Sequence, residues 1–237
     1  MTTSEPLMIG ARGWDVAAWV GEFYPGELPD DWRFCYYSNN LRSVLVPHAA
    51  LAMAQRSDVL RWIEDSDPAF RFVPEVPAAP SASGALTTMD HELAMLDDLI
   101  EPLVARLGGW LVRVTEDTLL PTEDFERLLN RLTRRAPVCV DLPDGEWRSD
   151  AMLAMLERQG AGLAWHCARD DAPRLGGELM VALAPVAEAR TVRHWIEKLA
   201  QWQGRQHAAR AGLFFEPSGR SARAAQEARL IAELMGV

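Results

Sequence analysis

Residues 7–39 read LMIGARGWDVAAWVGEFYPGELPDDWRFCYYSN, and the fold is read outward from them. A short apolar run, Leu7 to Arg12, has the length and composition of a buried strand. Behind it come three Trp, two Phe and three Tyr, punctuated by Gly13, Gly21, Pro25, Gly26 and Pro29. Aromatic side chains carry the largest burial energies, so so many on one strand–loop–helix connection imply a loop packed as firmly as a core. Trp14, and with it Arg12, follows the strand directly, and these two are expected to face a site at the strand end.

Seven more apolar runs follow the first: 43–47, 70–76, 110–116, 138–142, 163–167, 179–184 and 211–216. They are near-continuously apolar rather than alternating, as strands covered on both faces require. Between them lie helical patterns. Residues 88–107 place Leu93, Leu96, Leu99, Ile100, Leu103, Val104 and Leu107 on one stripe, with a kink expected at Pro102. Thr122 reads as the cap of a helix with Glu123 and Asp124 in its first turn, Arg134 and Arg135 in its last, and Phe125, Leu128, Leu129 and Leu132 on its buried face. Ser149 opens another, carrying Met152, Leu153 and Leu156 and stopped at Gly160. Val192, Trp195, Ile196, Leu199 and Trp202 form a further stripe, and a last helix at about 220–235 is expected to bury Ala and Leu.

Eight strands alternating with helices, none patterned as an exposed edge, predict an α/β fold: one TIM-like (β/α)8 barrel over residues 1–237. The weak unit is 167–178, CARDDAPRLGGE, where Pro and Gly leave room only for a degraded helix between the sixth and seventh strands-in-order of a full barrel. Residues 74–87, PEVPAAPSASGALT, form a Pro/Ala/Ser loop placed over the barrel mouth.

Composition bounds the rest. Of 237 residues, 49% are hydrophobic and 24% charged, enough for a sizeable core. No apolar run reaches the ~20 residues of a membrane span, and MTTSEP has no signal-peptide character, so a cytoplasmic location is expected. The net charge of −10 argues against a nucleic-acid surface. Cys35, Cys139 and Cys167 have no metal-ligand spacing and are expected to be reduced, structural thiols.

Barrel chemistry gathers at the carboxyl ends of the strands. That places Arg12, Trp14, His48, Glu75, Arg113, Glu116, Asp141, His166 and Glu216 around the mouth. No HxxxH or similar spacing accompanies the His and carboxylates, so neither a metal nor another cofactor is expected. Two readings stay open. In the first, residues 215–223, FEPSGRSAR, lead from the last strand into a helix, and Ser218, Gly219, Arg220, Ser221 and Arg223, with Glu216, bind a small anionic or phosphorylated ligand through amides, hydroxyls and guanidinium groups. In the second, Glu75, Arg113, Asp141 and His166 converge as the acid–base and charge-stabilising groups of a hydrolase or lyase of phosphodiester type. A purely structural partner protein would instead expose a large apolar patch.

The opening stretch also resembles the YecE-like family, the domain of unknown function 72. The family pattern I-G-x-x-G-W, W-x-G-x-F-Y-P, L-P-x-x-W and Y-Y-x-x-N is met by Ile9, Gly10, Gly13 and Trp14; Trp19, Gly21, Phe23, Tyr24 and Pro25; Leu28, Pro29 and Trp32; and Tyr36, Tyr37 and Asn39 or Asn40. The resemblance implies a TIM-like barrel without an established reaction. Downstream the chain departs from the family's polar signatures. Glu75 stands near a usual Lys, Arg113 at a usual Gln, and Pro143 at a usual Arg, though Asp141 and Trp147 are kept. Phe215, Glu216 and Pro217 replace F-N-N. The resemblance therefore implies the scaffold with an altered mouth.

Overall fold

The computed structural model describes residues 5–78, 94–118, 120–174, 176–206 and 209–237. Among these residues nine parallel strands make two sheets, ordered β1-β9-β8-β7 and β2-β3-β4-β5-β6. They are β1 (Met8–Ala11), β2 (Ser43–Val46), β3 (Arg71–Pro77), β4 (Trp110–Arg113), β5 (Val138–Asp141), β6 (Gly162–Leu163), β7 (Trp165–His166), β8 (Leu179–Ala184) and β9 (Arg210–Phe215). The two sheets join at both edges. On one side β6 and β7 are halves of a single run broken only at Ala164, whose amide still donates to the Val140 carbonyl at 2.8 Å. On the other, Arg12 bridges Leu45 in parallel and the Gly13 amide donates to the Leu45 carbonyl at 2.8 Å. Counting β6 and β7 as one, eight strands form the TIM-like α/β ring read from the eight apolar runs.

The β1–β2 seam requires glycine. A Cβ on Gly10 would lie 2.1 Å from the Ser43 carbonyl oxygen, so no side chain fits while the strands stay this close. Tyr37 locks the same seam. Its buried hydroxyl accepts the Ala11 N–H at 2.8 Å and donates to the Ser43 carbonyl at 3.0 Å.

Side chains alternate between two cores, as strand geometry dictates. Met8, Leu45, Val73, Leu111, Cys139, Ala164, Val181 and Phe214 are buried together inside the ring. Ile9, Val44, Phe72, Val112, Val140, Trp165, Ala182 and Leu213 face the helices. Those helices are α1 (Arg33–Asn40), α2 (His48–Met53), α3 (Arg56–Glu64), α4 (94–100), α5 (Thr122–Thr133), α6 (Asp150–Arg158), α7 (Ala189–Gly204) and α8 (Ser221–Met235).

Several local expectations need correction. Thr122 does not cap α5. Pro121 holds the cap position with φ −57° and ψ 142°, and its carbonyl accepts the Asp124 and Phe125 amides, so Thr122 already lies inside the first turn. At Pro102 the α4 helix tightens into a 3₁₀ segment, Glu101–Arg106. That shorter period turns Val104 outward to 38% exposure while Leu103 stays buried. Residues 88–93 and most of the Pro/Ala/Ser loop lie outside the described residues. In α8 the buried residues are alanines and the first-turn Ser221, and none is a leucine. Ala222, Ala225, Ala228 and Ala232 form a small-residue face on the barrel, and Leu230 and Leu234 are exposed at 49% and 90%. Between β7 and β8 the described residues form turns and no helix. The other capping expectation fits: the Ser149 hydroxyl accepts the Met152 amide, and Gly160 ends α6 with φ 66°. Among the described residues no helix is long and apolar enough to cross a membrane.

Candidate functional site

One residue beyond the last interior position of a strand points to the helices, and two beyond points into the mouth. Two residues after Val73, Leu111, Cys139, Ala164 and Phe214 stand Glu75, Arg113, Asp141, His166 and Glu216. Arg12 follows Met8 and Gly10 on β1 in the same phase. The two remaining strands supply Pro47 and Pro185 at the equivalent positions. The top interior layer is therefore polar on six strands.

These six side chains form one continuous network. Glu75, with only 3% of its side chain exposed, is its anchor. Arg12 donates to it in a two-pronged contact, Nε to Oε1 at 2.6 Å and Nη2 to Oε2 at 2.8 Å. Arg113 spans the centre and serves three carboxylates. Its Nε donates to Glu75 at 3.1 Å, Nη1 to Asp141 at 3.2 Å, and Nη2 to Glu216 at 3.1 Å. The planar guanidinium serves the three from three separate nitrogens, whereas a lysine ammonium would have to reach all of them from one. Burial acts to lower the Arg113 pKa, but Glu75, Glu216 and Asp141 outweigh it and hold the pKa above its ordinary value. The chain ends at His166, whose Nε2 lies 2.7 Å from Asp141 Oδ1.

Asp170 was not anticipated, although it belongs to the support of this site. Its carboxylate accepts the His166 amide at 3.1 Å, while its carbonyl accepts the Trp165 indole N–H at 2.8 Å. Burial pushes its pKa up, but hydrogen bonds from Arg169 and the His166 amide, with Arg148 nearby, bring it below the ordinary value. The turn after β7 thereby fixes the backbone that carries His166. The signal was present as an acid four residues after a strand-end His, inside a segment too broken for a helix.

Other expected mouth residues lie elsewhere. His48 and Glu116 are exposed and contact none of the six. Trp14 turns away from the ring. It packs edge-on against Phe34 and Trp62, each with ring centroids 4.9 Å away, and its carbonyl accepts the Tyr24 hydroxyl.

The turn after β9 satisfies itself. The Ser221 hydroxyl, fully buried, accepts the Ser218 amide at 3.1 Å and donates to the Ser218 carbonyl at 2.9 Å. That carbonyl also accepts the Trp19 indole N–H at 2.7 Å. Arg223 donates to the Glu22 carbonyl at 3.1 Å, and Gly219 lies against Ala18. Arg220 is exposed and precedes α8 without a side-chain cap bond. Of the groups expected to cradle an anion, the Ser221 hydroxyl, the Ser218 amide and the Arg223 guanidinium thus serve to hold the turn and dock the aromatic first loop onto α8, while Arg220 stays exposed. Among the described residues, no group of three or more His, Cys, Asp and Glu is placed to hold a metal ion.

Comparison with known proteins agrees with this architecture. The family model described as "Protein of unknown function DUF72" matches residues 8–237. Two crystal structures of a DUF72 family protein from Enterococcus faecalis V583 superpose with TM-scores of 0.65 and 0.70 at 16% and 13% identity. They cover 86% and 96% of this chain and 93% and 95% of theirs. A DUF72 family protein from Thermotoga maritima MSB8 superposes with a TM-score of 0.69 at 13% identity, covering 98% of this chain and 100% of its own. At such identities the likeness concerns the fold. No curated protein matches the chain.

Proposed function

The chain belongs to the DUF72 family, proteins of unknown function, and from its own strand-end residues we propose that the barrel mouth is an acid–base site of hydrolase or lyase type for a small anionic substrate. The observation that carries the reading is the pairing of His166 with Asp141 at 2.7 Å inside a network that four other strand ends complete.

A carboxylate can only accept, so an ionised Asp141 selects the His166 tautomer with hydrogen on Nε2. The Nδ1 lone pair is then free, and Nδ1 has no hydrogen-bond partner among the described residues. A group held this way takes a proton from water or substrate at Nδ1, and Asp141 stabilises the resulting imidazolium. Arg113, held on three sides, is preorganised charge that does not reorganise during the reaction. Arg12 uses Nε and Nη2 on Glu75, which leaves Nη1 as a donor for an anionic substrate group.

Charge sets the substrate class. Two arginines, Arg12 and Arg113, against Glu75, Asp141 and Glu216 sum to a formal charge of −1. A mouth so balanced admits a singly charged group held by a guanidinium donor more readily than a polyphosphate.

The test combines turnover and nuclear magnetic resonance. Hydrolysis of bis(4-nitrophenyl) phosphate and of 4-nitrophenyl acetate is compared for the wild type and His166→Ala, while inorganic phosphate is titrated onto histidine-labelled protein. Expected are a saturable phosphate-dependent shift at His166 and a loss of about 100-fold or more in turnover of whichever ester reacts. Phosphate binding without turnover would reduce the mouth to a binding site. Neither turnover above the His166→Ala background nor any His166 response would overturn the proposal.

A further inference from the structure

A second cavity, distinct from the mouth, lies outside the ring between α1 and α3. Its volume is about 150 Å³, and its wall is aromatic: Trp14, Phe34 and Trp62. Here the block of aromatics in the opening sequence acquires a use that packing alone does not require. The rings meet edge to face, with Trp14 centroids 4.9 Å from both Phe34 and Trp62, so the wall is rigid. An open cavity of this volume has room for a small planar guest.

The rim is acidic. Asp30, Asp31, Asp58 and Asp65 line it with one cation, Arg61, giving a net charge of −3. Asp30 is already engaged by Arg33 at 2.5 Å, and Asp58 accepts the Gln55 amide at 2.9 Å. Asp31 and Asp65 have no side-chain partner among the described residues, and Arg61, although it lines the same cavity, pairs with neither. Aromatic faces attract weakly hydrated organic cations, and free carboxylates select cations that carry N–H donors. A planar guanidinium meets both demands, stacking on an indole while its edge donates to carboxylate oxygens.

We propose that this aromatic cavity binds an alkylguanidinium group, with Trp14 and Trp62 as the stacking wall and Asp31 and Asp65 as the hydrogen-bonding rim. Arg61 weakens such binding by its like charge.

The probe is methylguanidinium, titrated at low millimolar concentration while the Trp14 and Trp62 indole N–H resonances are followed. Urea provides the same planar shape without charge, and tetramethylammonium provides charge without N–H donors. Expected is a saturable shift of both indoles with methylguanidinium, at least about fivefold tighter than with either comparison compound. Asp31→Asn combined with Asp65→Asn should weaken binding about fivefold or more, and Arg61→Ala should tighten it. All three positions are solvent-accessible, so folding should be preserved, with near-ultraviolet circular dichroism as the check. Equal response to urea, equal affinity for tetramethylammonium, or an affinity untouched by either variant would overturn the proposal. Because no mouth residue is altered, the outcome is independent of the acid–base reading.

Discussion

Replacing Arg113 by Met preserves most of the side-chain volume and removes the one cation shared by three carboxylates. The magnitude follows from what each carboxylate retains. Glu75, 3% exposed, loses a 3.1 Å contact but keeps both bonds from Arg12, so its loss is about 1.5 kcal/mol, the lower part of the range for a charged hydrogen bond. Asp141, 12% exposed, loses a 3.2 Å bond and keeps His166, which adds about 1.5 kcal/mol. Glu216 is 38% exposed and turns to water, so its contribution is discounted to about 0.5 kcal/mol. Freeing the half-buried guanidinium from its desolvation returns part of this, and the net expectation is a loss of about 3 kcal/mol. Urea unfolding at pH 7 followed by tryptophan fluorescence reads it as a lowered midpoint at unchanged slope. In a chain of this length the thermal midpoint should fall by about 6–12 °C. Arg113→Lys keeps the charge but not the fork, and should recover less than half of the loss. A loss below about 1 kcal/mol for Arg113→Met would refute the reasoning, since the network would then be an ordinary surface cluster. Full rescue by Lys would refute the fork argument alone.

Two further expectations concern the rest of the chain. Ser221→Ala removes a buried hydroxyl that serves both the amide and the carbonyl of Ser218, and should cost about 1–2 kcal/mol in urea unfolding with no dependence on added phosphate; a loss that appears only when phosphate is present would instead restore the anion cradle at residues 218–223. At high pH, burial raises the Cys139 thiol to about 12, and raises Cys167, Tyr24 and Tyr37 as well. Groups raised in the folded state stabilise fully below their unfolded pKa and lose that contribution as pH climbs toward the folded one, so unfolding free energy should fall from about pH 9 upward by about 1.4 kcal/mol per pH unit for each fully titrating group. Cys139→Ala should flatten that slope while lowering stability at pH 8, and an unchanged slope would count against burial of the thiol as its cause.

The legibility of this molecule divides along the range of the interactions involved. Strand positions were readable because each had to be apolar on both faces, and that need writes itself into consecutive residues such as Val138–Val140 or Met180–Ala184. The mouth was readable for a related reason. Strand alternation is strict, so a polar residue two places after an interior one can only enter the top layer, and Glu75, Arg113, Asp141, His166 and Glu216 all stand in that phase. Trp14 misled because it lies beyond Gly13, whose φ of 78° breaks the alternation and sends the next side chain toward α1 and α3. His48 and Glu116 misled similarly, since each lies at least two residues past its strand end and out of the interior phase set by Leu45 and Leu111.

What the sequence could not convey was partnership across distance. Serine, glycine and arginine between a strand and a helix suit an anion cradle and a loop dock equally. What favours the dock comes from Trp19 and Glu22, about 200 positions away, whose indole N–H and carbonyl engage Ser218 and Arg223. Sixty-three positions separate Arg12 from its partner Glu75, a pairing that converts two ordinary strand-end charges into a buried anchor. The aromatic loop and the polar mouth are therefore coupled through β1: Arg12 enters the mouth in phase, and after the turn at Gly13 the chain supplies Trp14 to the outer cavity and Trp19 to the α8 dock. A substitution that shifts this turn, such as Gly13→Val at its positive φ, should disturb all three regions together, because the chain on either side of it reaches each of them.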